Sequence, residues 1–217
     1  MITRRSWQTA KPYVLGPLLL GVALLLVGWR RSGLLATVTA GAALLFFRDP
    51  ERPLNPDPDV VYAAADGVVT DVEDAHDPWI PGGEALRIST FLSIHNVHVN
   101  RSPVEGSVTK MEEVTGGFLP AFLGGSKGNY QNRIAIDGPK GRAVVAQIAG
   151  VVARRISRWI ETGESVATGQ RIGLIHFGSR TDVLLPAGSA DPLVSPGDLV
   201  WAGTTPLARY REKEGTP

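Results

Sequence analysis

Gly67-Val68-Val69-Thr70-Asp71-Val72 is a β-branched run opened by glycine and interrupted by an acid. Val and Thr are stiff at the first side-chain torsion and fit a pleated surface better than a helix. The pattern recurs in Leu86 to Ile94, Arg133 to Ile136 and Ala143 to Ile148, with Gly, Pro and Asp between the runs. Short strands with frequent turns predict a mainly β domain, a compact antiparallel sandwich or barrel-like body. Val151 to Glu161 fits either a helix or a longer strand.

Working outward, one repeat is visible. Gly163-Glu164-Ser165-Val166-Ala167-Thr168-Gly169 and Gly197-Asp198-Leu199-Val200-Trp201-Ala202-Gly203 both read Gly-acid-x-Val-x-x-Gly. Such units make tight turns between short strands and resemble the hairpins of lipoyl-like β folds. Two unrelated hairpins read the same way. No lysine occupies either turn, which argues against a swinging-arm carrier.

Upstream, Arg48-Asp49-Pro50-Glu51-Arg52-Pro53 with Pro56 and Pro58 opposes helix, so residues 48–60 read as an extended linker to a domain at 61–217. Residues 1–47 are apolar. Tyr13 to Trp29 and Leu34 to Phe47 carry no charge and are parted by Arg30-Arg31-Ser32-Gly33. At about 1.5 Å per residue the first covers roughly 25 Å and the second about 21 Å, against a hydrocarbon core of about 30 Å. A helical hairpin and a single span with an interfacial piece both fit. Trp7, Tyr13, Trp29, Phe46 and Phe47 sit near the segment ends, where interfacial aromatics belong. The head therefore reads as a hydrophobic helical membrane anchor in preference to a signal peptide or a buried hairpin.

The 217 residues include no Cys, which excludes disulfides, thiolate nucleophiles and Cys-ligated zinc. The net charge of +1 points to no nucleic-acid partner. Seven bases and two acids lie before residue 54, leaving 15 bases and 19 acids beyond it, so a basic head precedes a mildly acidic body.

Three elements could carry chemistry. Ser93-Ile94-His95-Asn96-Val97-His98-Val99-Asn100 holds two of the four histidines. Residues three apart on a strand face opposite ways, so His95 and His98 share a face only if the chain bends there. Ala65-Asp66-Gly67 places an acid at a strand start, and Phe177-Gly178-Ser179-Arg180 places a serine after an apolar run. Each alone reads equally as turn or loop. Together Asp66, His98 and Ser179 supply orienter, base and nucleophile. Gly178 leaves room for Ser179 Oγ to reach its own preceding carbonyl, geometry suited to attack on its own peptide bond.

These elements, with Phe46 to Arg52, Asn132-Arg133 and Gln147-Ile148-Ala149-Gly150, resemble the phosphatidylserine decarboxylase proenzymes, in particular the short bacterial and archaeal class. The resemblance covers nearly the whole chain. It departs from the long forms in carrying Phe177-Gly178-Ser179-Arg180 at the cleavage site and Gln131-Asn132-Arg133 where an Asn-Glu-Arg element stands. It implies self-cleavage between Gly178 and Ser179 into a β chain, 1–178, and an α chain, 179–217, which remain associated. Ser179 becomes a covalent pyruvoyl group, with Asp66 and His98 activating it and His95 serving decarboxylation. The pyruvoyl ketone is the electron sink that pyridoxal phosphate provides elsewhere. No metal is implied. The implied substrate is phosphatidylserine and the product phosphatidylethanolamine, at a cell membrane and on its cytoplasmic face. A homo-oligomer is left open.

Gly116 to Gly125, with Phe118 and Phe122, reads as a loop dipping into lipid or one covering the core, and Arg180 or Lys127 as a phosphate contact. Rival readings are a membrane-anchored binding module without catalysis, a serine hydrolase and a zinc metallopeptidase. The last lacks the His-x-His and His-x-x-x-Asp pairs that would close a zinc shell.

Overall fold

The computed structural model describes residues 2–117, 128–150, 155–176 and 179–212. The chain divides into two units, Met1–Glu51 and Arg52–Pro217.

The first unit is a helical hairpin, the first of the two arrangements its hydropathy allowed. Helix α1 (Arg4–Leu26) packs on α2 (Arg30–Phe46). Ala10, Val14 and Gly21 of α1 and Gly33 and Ala40 of α2 are buried in the seam. A Cβ on Gly21 would lie 3.0 Å from the Gly33 carbonyl oxygen, and one on Gly33 3.0 Å from that of Gly21, so the backbones touch there. Leu19, Leu26, Leu35 and Leu45 point outward and are exposed. Small residues inside and leucines outside invert the pattern of a water-soluble helix pair and match helices packing in lipid. Helix α1 is long and apolar enough to cross a membrane. The open end is latched. Ser6 Oγ donates to the Phe47 carbonyl, Thr3 Oγ1 donates to buried Asp49 at 2.6 Å, and Tyr13 stacks on Phe47.

The second unit is mainly β. Its strands among the described residues are β1 (Val60–Tyr62), β2 (Gly67–His76), β3 (Glu84–Leu92), β4 (Val99–Arg101), β5 (Gly106–Val114), β6 (Gln131–Gly138), β7 (Gly141–Ala149), β8 (Ile156–Arg158), β9 (Ser165–Val166), β10 (Arg171–Ile175), β11 (Ser179–Pro186), β12 (Ala190–Pro192), β13 (Leu199–Val200) and β14 (Pro206–Tyr210). Eight form a curled antiparallel sheet in the order β13-β2-β3-β11-β7-β6-β5-β9, and two three-stranded sheets, β1-β14-β12 and β4-β10-β8, complete the unit. The described part of Val151 to Glu161 contains the short strand β8 and no helix, because Ile156 and Ser157 pair with β10.

The pairings reveal an internal duplication. Strands β4 to β10 form one half, and β1 to β3 with β11 to β14 form the other. Each of the pairs β5–β6, β6–β7, β5–β9, β4–β10 and β8–β10 has its counterpart in β2–β3, β3–β11, β2–β13, β1–β14 and β12–β14. The halves join through β7–β11. Local details repeat as well. A bulge follows Val69 in β2 and Val108 in β5. Gly163 N–H donates to the Val108 carbonyl and Gly197 N–H to that of Val69, each at 2.8 Å. Arg101 N–H donates to Ala64 O, while Tyr62 N–H donates to Pro103 O. The two Gly-acid-x-Val-x-x-Gly segments supply the sheet's outermost strands, β9 and β13, and end at glycines that meet: a Cβ on Gly203 would lie 3.3 Å from the Gly169 Cα. The repeat seen in the sequence thus brings the turns beside the two edge strands together.

Side-chain alternation sorts the sheet into rows on its inner face. Ile88, Val183, Val145 and Ile134 lie side by side across β3, β11, β7 and β6 in the main core. The next row is Thr90, Thr181, Gln147 and Asn132, and beyond it Leu92, Ser179 and Ala149 reach one rim.

Candidate active site

Ser179 opens β11, paired with Leu92 on one side and Ala149 on the other. It is fully buried, and its Oγ has no hydrogen-bond partner among the described residues. A buried hydroxyl without a partner costs about 1–3 kcal/mol, so its persistence here marks a site.

The strand predicted from Leu86 to Ile94 ends at Leu92, because the chain turns. Asn96 N–H donates to the Ser93 carbonyl, and Asn96 Oδ1 accepts from Ser93 N–H at 2.8 Å and Ser93 Oγ at 2.7 Å. This turn is the bend on which the His95–His98 relation depended. His95 sits in it and is exposed, whereas His98 is fully buried. His98 Nδ1 is 3.0 Å from the Asn96 carbonyl oxygen. A carbonyl only accepts, so Nδ1 carries a hydrogen and Nε2 is the nitrogen left to act as a base. The His98 carbonyl accepts from Ile175 N–H, and Ile175 packs with Ala149, the neighbour of Ser179. His98 therefore belongs to the Ser179 end of the sheet.

Asp66 precedes Gly67 at the same rim. A Cβ on Gly67 would fall 1.9 Å from the Phe91 carbonyl oxygen, so only glycine lets β2 begin this close to β3. The Asp66 carboxylate accepts from Arg52 Nη1 at 2.5 Å, Arg52 Nη2 at 2.6 Å and Ala202 N–H at 2.8 Å. Its partners are thus an arginine and a main-chain amide, not an imidazole. Arg52 was part of a recognisable run in the sequence, but nothing there said which acid it would meet across 14 residues.

Arg180 occupies the opposite face of β11 from Ser179. It is buried and grips Asp182 through Nε at 2.6 Å, with Nη2 donating to Ser89 Oγ at 2.6 Å. Burial opposes its charge, but Asp182, Asp71 and Glu73 outweigh that and raise its pKa. Its guanidinium is held within the sheet by Asp182 and Ser89, where the sequence reading offered it as a phosphate contact. Phe118, Phe122, Lys127 and Gly178 lie outside the described residues. The chain leaves at Gly117 and returns at Gly128, whose carbonyl accepts from Gly117 N–H at 2.8 Å, and Asn129 Nδ2 donates to Ala149 O at 2.7 Å. The stems of segment 118–127 therefore stand beside Ser179.

The row beneath Ser179 is polar. Asn132 Nδ2 donates to Gln147 Oε1 and Gln147 Nε2 to Asn100 Oδ1, each at 2.7 Å. Gly173 of β10 lies on this chain, and a Cβ there would come within 3.1 Å of Gln147 Nε2. Asn100 Nδ2, Asn132 Oδ1 and Thr181 Oγ1 are buried without a partner among the described residues. Asn132 and Gln147 stood in sequence motifs without a role, and only the strand register brings them together. His176 sits apart from this row, hydrogen-bonded to Ser157 Oγ at 3.0 Å, its pKa lowered to about 4 by burial and by the charge of Arg155.

The model of the phosphatidylserine decarboxylase family matches residues 40–208. A phosphatidylserine decarboxylase proenzyme of Symbiobacterium thermophilum is 44% identical over 216 residues, covering 96% of this chain and 95% of the relative. Proenzymes of the same name from Burkholderia multivorans and Burkholderia ambifaria are 46% and 47% identical over 169 residues, covering 77% of this chain and 78% of theirs. The matched region spans Asp66, His98 and Ser179, so the rim on which the unpartnered serine is buried lies within it. The chain belongs to the phosphatidylserine decarboxylase family.

Proposed function

We propose that this protein cleaves itself at Ser179 and then decarboxylates phosphatidylserine to phosphatidylethanolamine and CO2. The observation that carries this reading is Ser179 itself: a buried, unpartnered hydroxyl at the first position of a central strand, directly after Gly178, on the rim that holds His98 and Asp66. In the self-cleavage, His98 Nε2 takes the Ser179 proton as Oγ attacks the Gly178 carbonyl carbon, then passes it to the residue 179 nitrogen as the C–N bond breaks, and the amide becomes an ester. Loss of the Cα proton of residue 179 breaks its Cβ–Oγ bond and frees chain 1–178. Addition of water and release of ammonia then leave a pyruvoyl group at the start of chain 179–217. Arg52 holds the Asp66 carboxylate at the rim, and Ala202 N–H fixes its orientation.

Residue 179 is a fitting place for that group. Pairing on both sides holds its backbone, and its inner side meets neutral polar side chains. The pyruvoyl ketone supplies the electron sink for the pair left at the substrate Cα when CO2 departs. His95, exposed in its turn at the same rim, is the candidate proton donor to that carbon. The substrate stays in a bilayer, and the hairpin of α1 and α2 supplies an anchor to one. Basic residues stand at both its ends, Arg4, Arg5 and Arg48 at the open one and Arg30 and Arg31 at the turn, and the reading puts the open end on the cytoplasmic side.

Intact-mass analysis of the purified protein beside Ser179→Ala tests the reading. The expected result is two chains split after Gly178, the smaller lighter than its sequence by one ammonia, and an uncleaved variant. A folded, full-length wild-type chain would overturn it.

A further inference from the structure

The duplicated fold contains its own control for the polar row beneath Ser179. Superposing the two halves by register pairs Thr90 with Ile136, Thr181 with Ala143, Gln147 with Leu185 and Asn132 with Leu86. Asn100, which covers the row from β4, pairs with Val61 of β1. At the far rim every one of these positions is apolar, and Ile136, Ala143, Leu185 and Val61 lie in the main core. The architecture therefore closes with hydrocarbon at this layer and has no need of polar groups there. At the Ser179 rim the same layer holds three amides and two hydroxyls, all at least nine-tenths buried, with Asn100 Nδ2 and Thr181 Oγ1 unpartnered among the described residues. Gln147 is held between Asn132 and Asn100, so the spare Asn100 N–H has a fixed position.

We infer that this layer recognises the carboxylate of the serine head group: Asn100 Nδ2 and the Thr181 hydroxyl donate to it, and Gln147 and Asn132 are positioning residues for Asn100. The inference rests on the decarboxylase reading above. Thr181 is two residues from Ser179 on the same face of β11, so a head group joined through its nitrogen to residue 179 presents its carboxylate to this layer. The described side chains of the layer are neutral, and that suits the reaction. An arginine would stabilise the carboxylate before reaction and oppose its departure, whereas neutral donors orient it and release it as CO2. The product, having no carboxylate, makes neither contact.

The far rim also names the test variants, Asn100→Val and Thr181→Ala, which install residues this architecture already accepts, with Thr181→Ser as the conservative rescue. Full-length self-cleaved protein is mixed with vesicles of phosphatidylserine or of phosphatidylethanolamine and cyanoborohydride. The covalent adduct on the chain beginning at residue 179 is then counted by mass. Adduct formation with phosphatidylserine should fall about ten- to a hundredfold in both variants, as for loss of a hydrogen bond to a charged group, and stay unchanged with phosphatidylethanolamine. Thr181→Ser should restore the preference. Equal losses on both lipids, or none, would overturn the assignment, as would folded variants that both fail to cleave. Wild-type protein that captures neither lipid would instead overturn the decarboxylase reading.

Discussion

The two rims of the duplicated sheet are built by the same strand pairs and carry different residues. At one, Asp66-Gly67 opens β2. At the other, Glu105-Gly106 opens β5. Asp66 is buried against Arg52 and Ala202, while Glu105 is exposed and has no ion-pair partner among the described residues. His98 corresponds to Asp59, which pairs with Lys140 at 2.5 Å, and Ser179 corresponds to Gly141. A surface pocket lined by Pro58, Val60, Glu105, Lys140 and Tyr210 marks the far rim. On the proposed reading, chemistry is concentrated in one copy of a repeated frame, and the other shows what the frame alone requires.

The sharpest way to break that comparison is to remove one acid from each rim. Asp66→Asn leaves Arg52 without its buried counter-charge, and losing one partner of such a pair costs about 3–5 kcal/mol. Self-cleavage of the folded fraction should slow at least a hundredfold. Glu105→Gln should alter neither cleavage, followed on denaturing gels, nor denaturant midpoint. Equal slowing by both changes would mean that the rims are functionally alike.

The opening glycines offer a finer contrast. A Cβ on Gly67 would sit 1.9 Å from the Phe91 carbonyl oxygen, and one on Gly106 2.5 Å from that of Asp137. Both contacts are with backbone, so a strand must move. Gly67→Ala should cost about 3 kcal/mol, the top of the overpacking range, and Gly106→Ala less. Only Gly67→Ala displaces Asp66, so only it should also slow self-cleavage. Urea melts and gel time courses on the two variants separate these effects.

The sequence carried the fold class because β-branched runs and glycine punctuation are local signals. It carried one trace of the duplication, the Gly-acid-x-Val-x-x-Gly pair, since those turns demand glycine: Gly163, Gly169, Gly197 and Gly203 all have positive φ. The rest of the duplication was illegible, because equivalent strands share register and not residues, as Gln147 against Leu185 shows. Of the site, Asp66, His98 and Ser179 were readable as chemistry-bearing types in a family order. Their company was not. Arg52 meets Asp66, and Arg180 turns to Asp182, for reasons of strand face and sheet register. Asn100, Asn132 and Gln147 meet only because three strands bring them to one layer.

One further pair of equivalent positions shows how far the halves have parted. Arg211 beside Asp191 at the far rim corresponds to His176 beside Ser157. Arg211 and Asp191 are exposed, an ion pair that salt screens and whose loss should hardly move a melting curve. His176 is buried, and burial with the Arg155 charge lowers its pKa from an ordinary 6.5 to about 4. Its folded form therefore binds fewer protons than its unfolded form between those values. The stability it contributes is present above pH 6.5 and is lost as pH falls towards 4. From pH 7 to pH 5 the loss is about 2 kcal/mol, at about 1.4 kcal/mol per pKa unit. His176→Gln keeps a hydrogen-bonding arm for Ser157 and cannot titrate. Urea denaturation in a Ser179→Ala background, where the chain stays in one piece, should show the wild-type histidine losing that stability between pH 7 and 5 and the glutamine holding it. Parallel pH profiles for the two proteins would mean that His176 titrates alike in the folded and unfolded chain, against the lowered value.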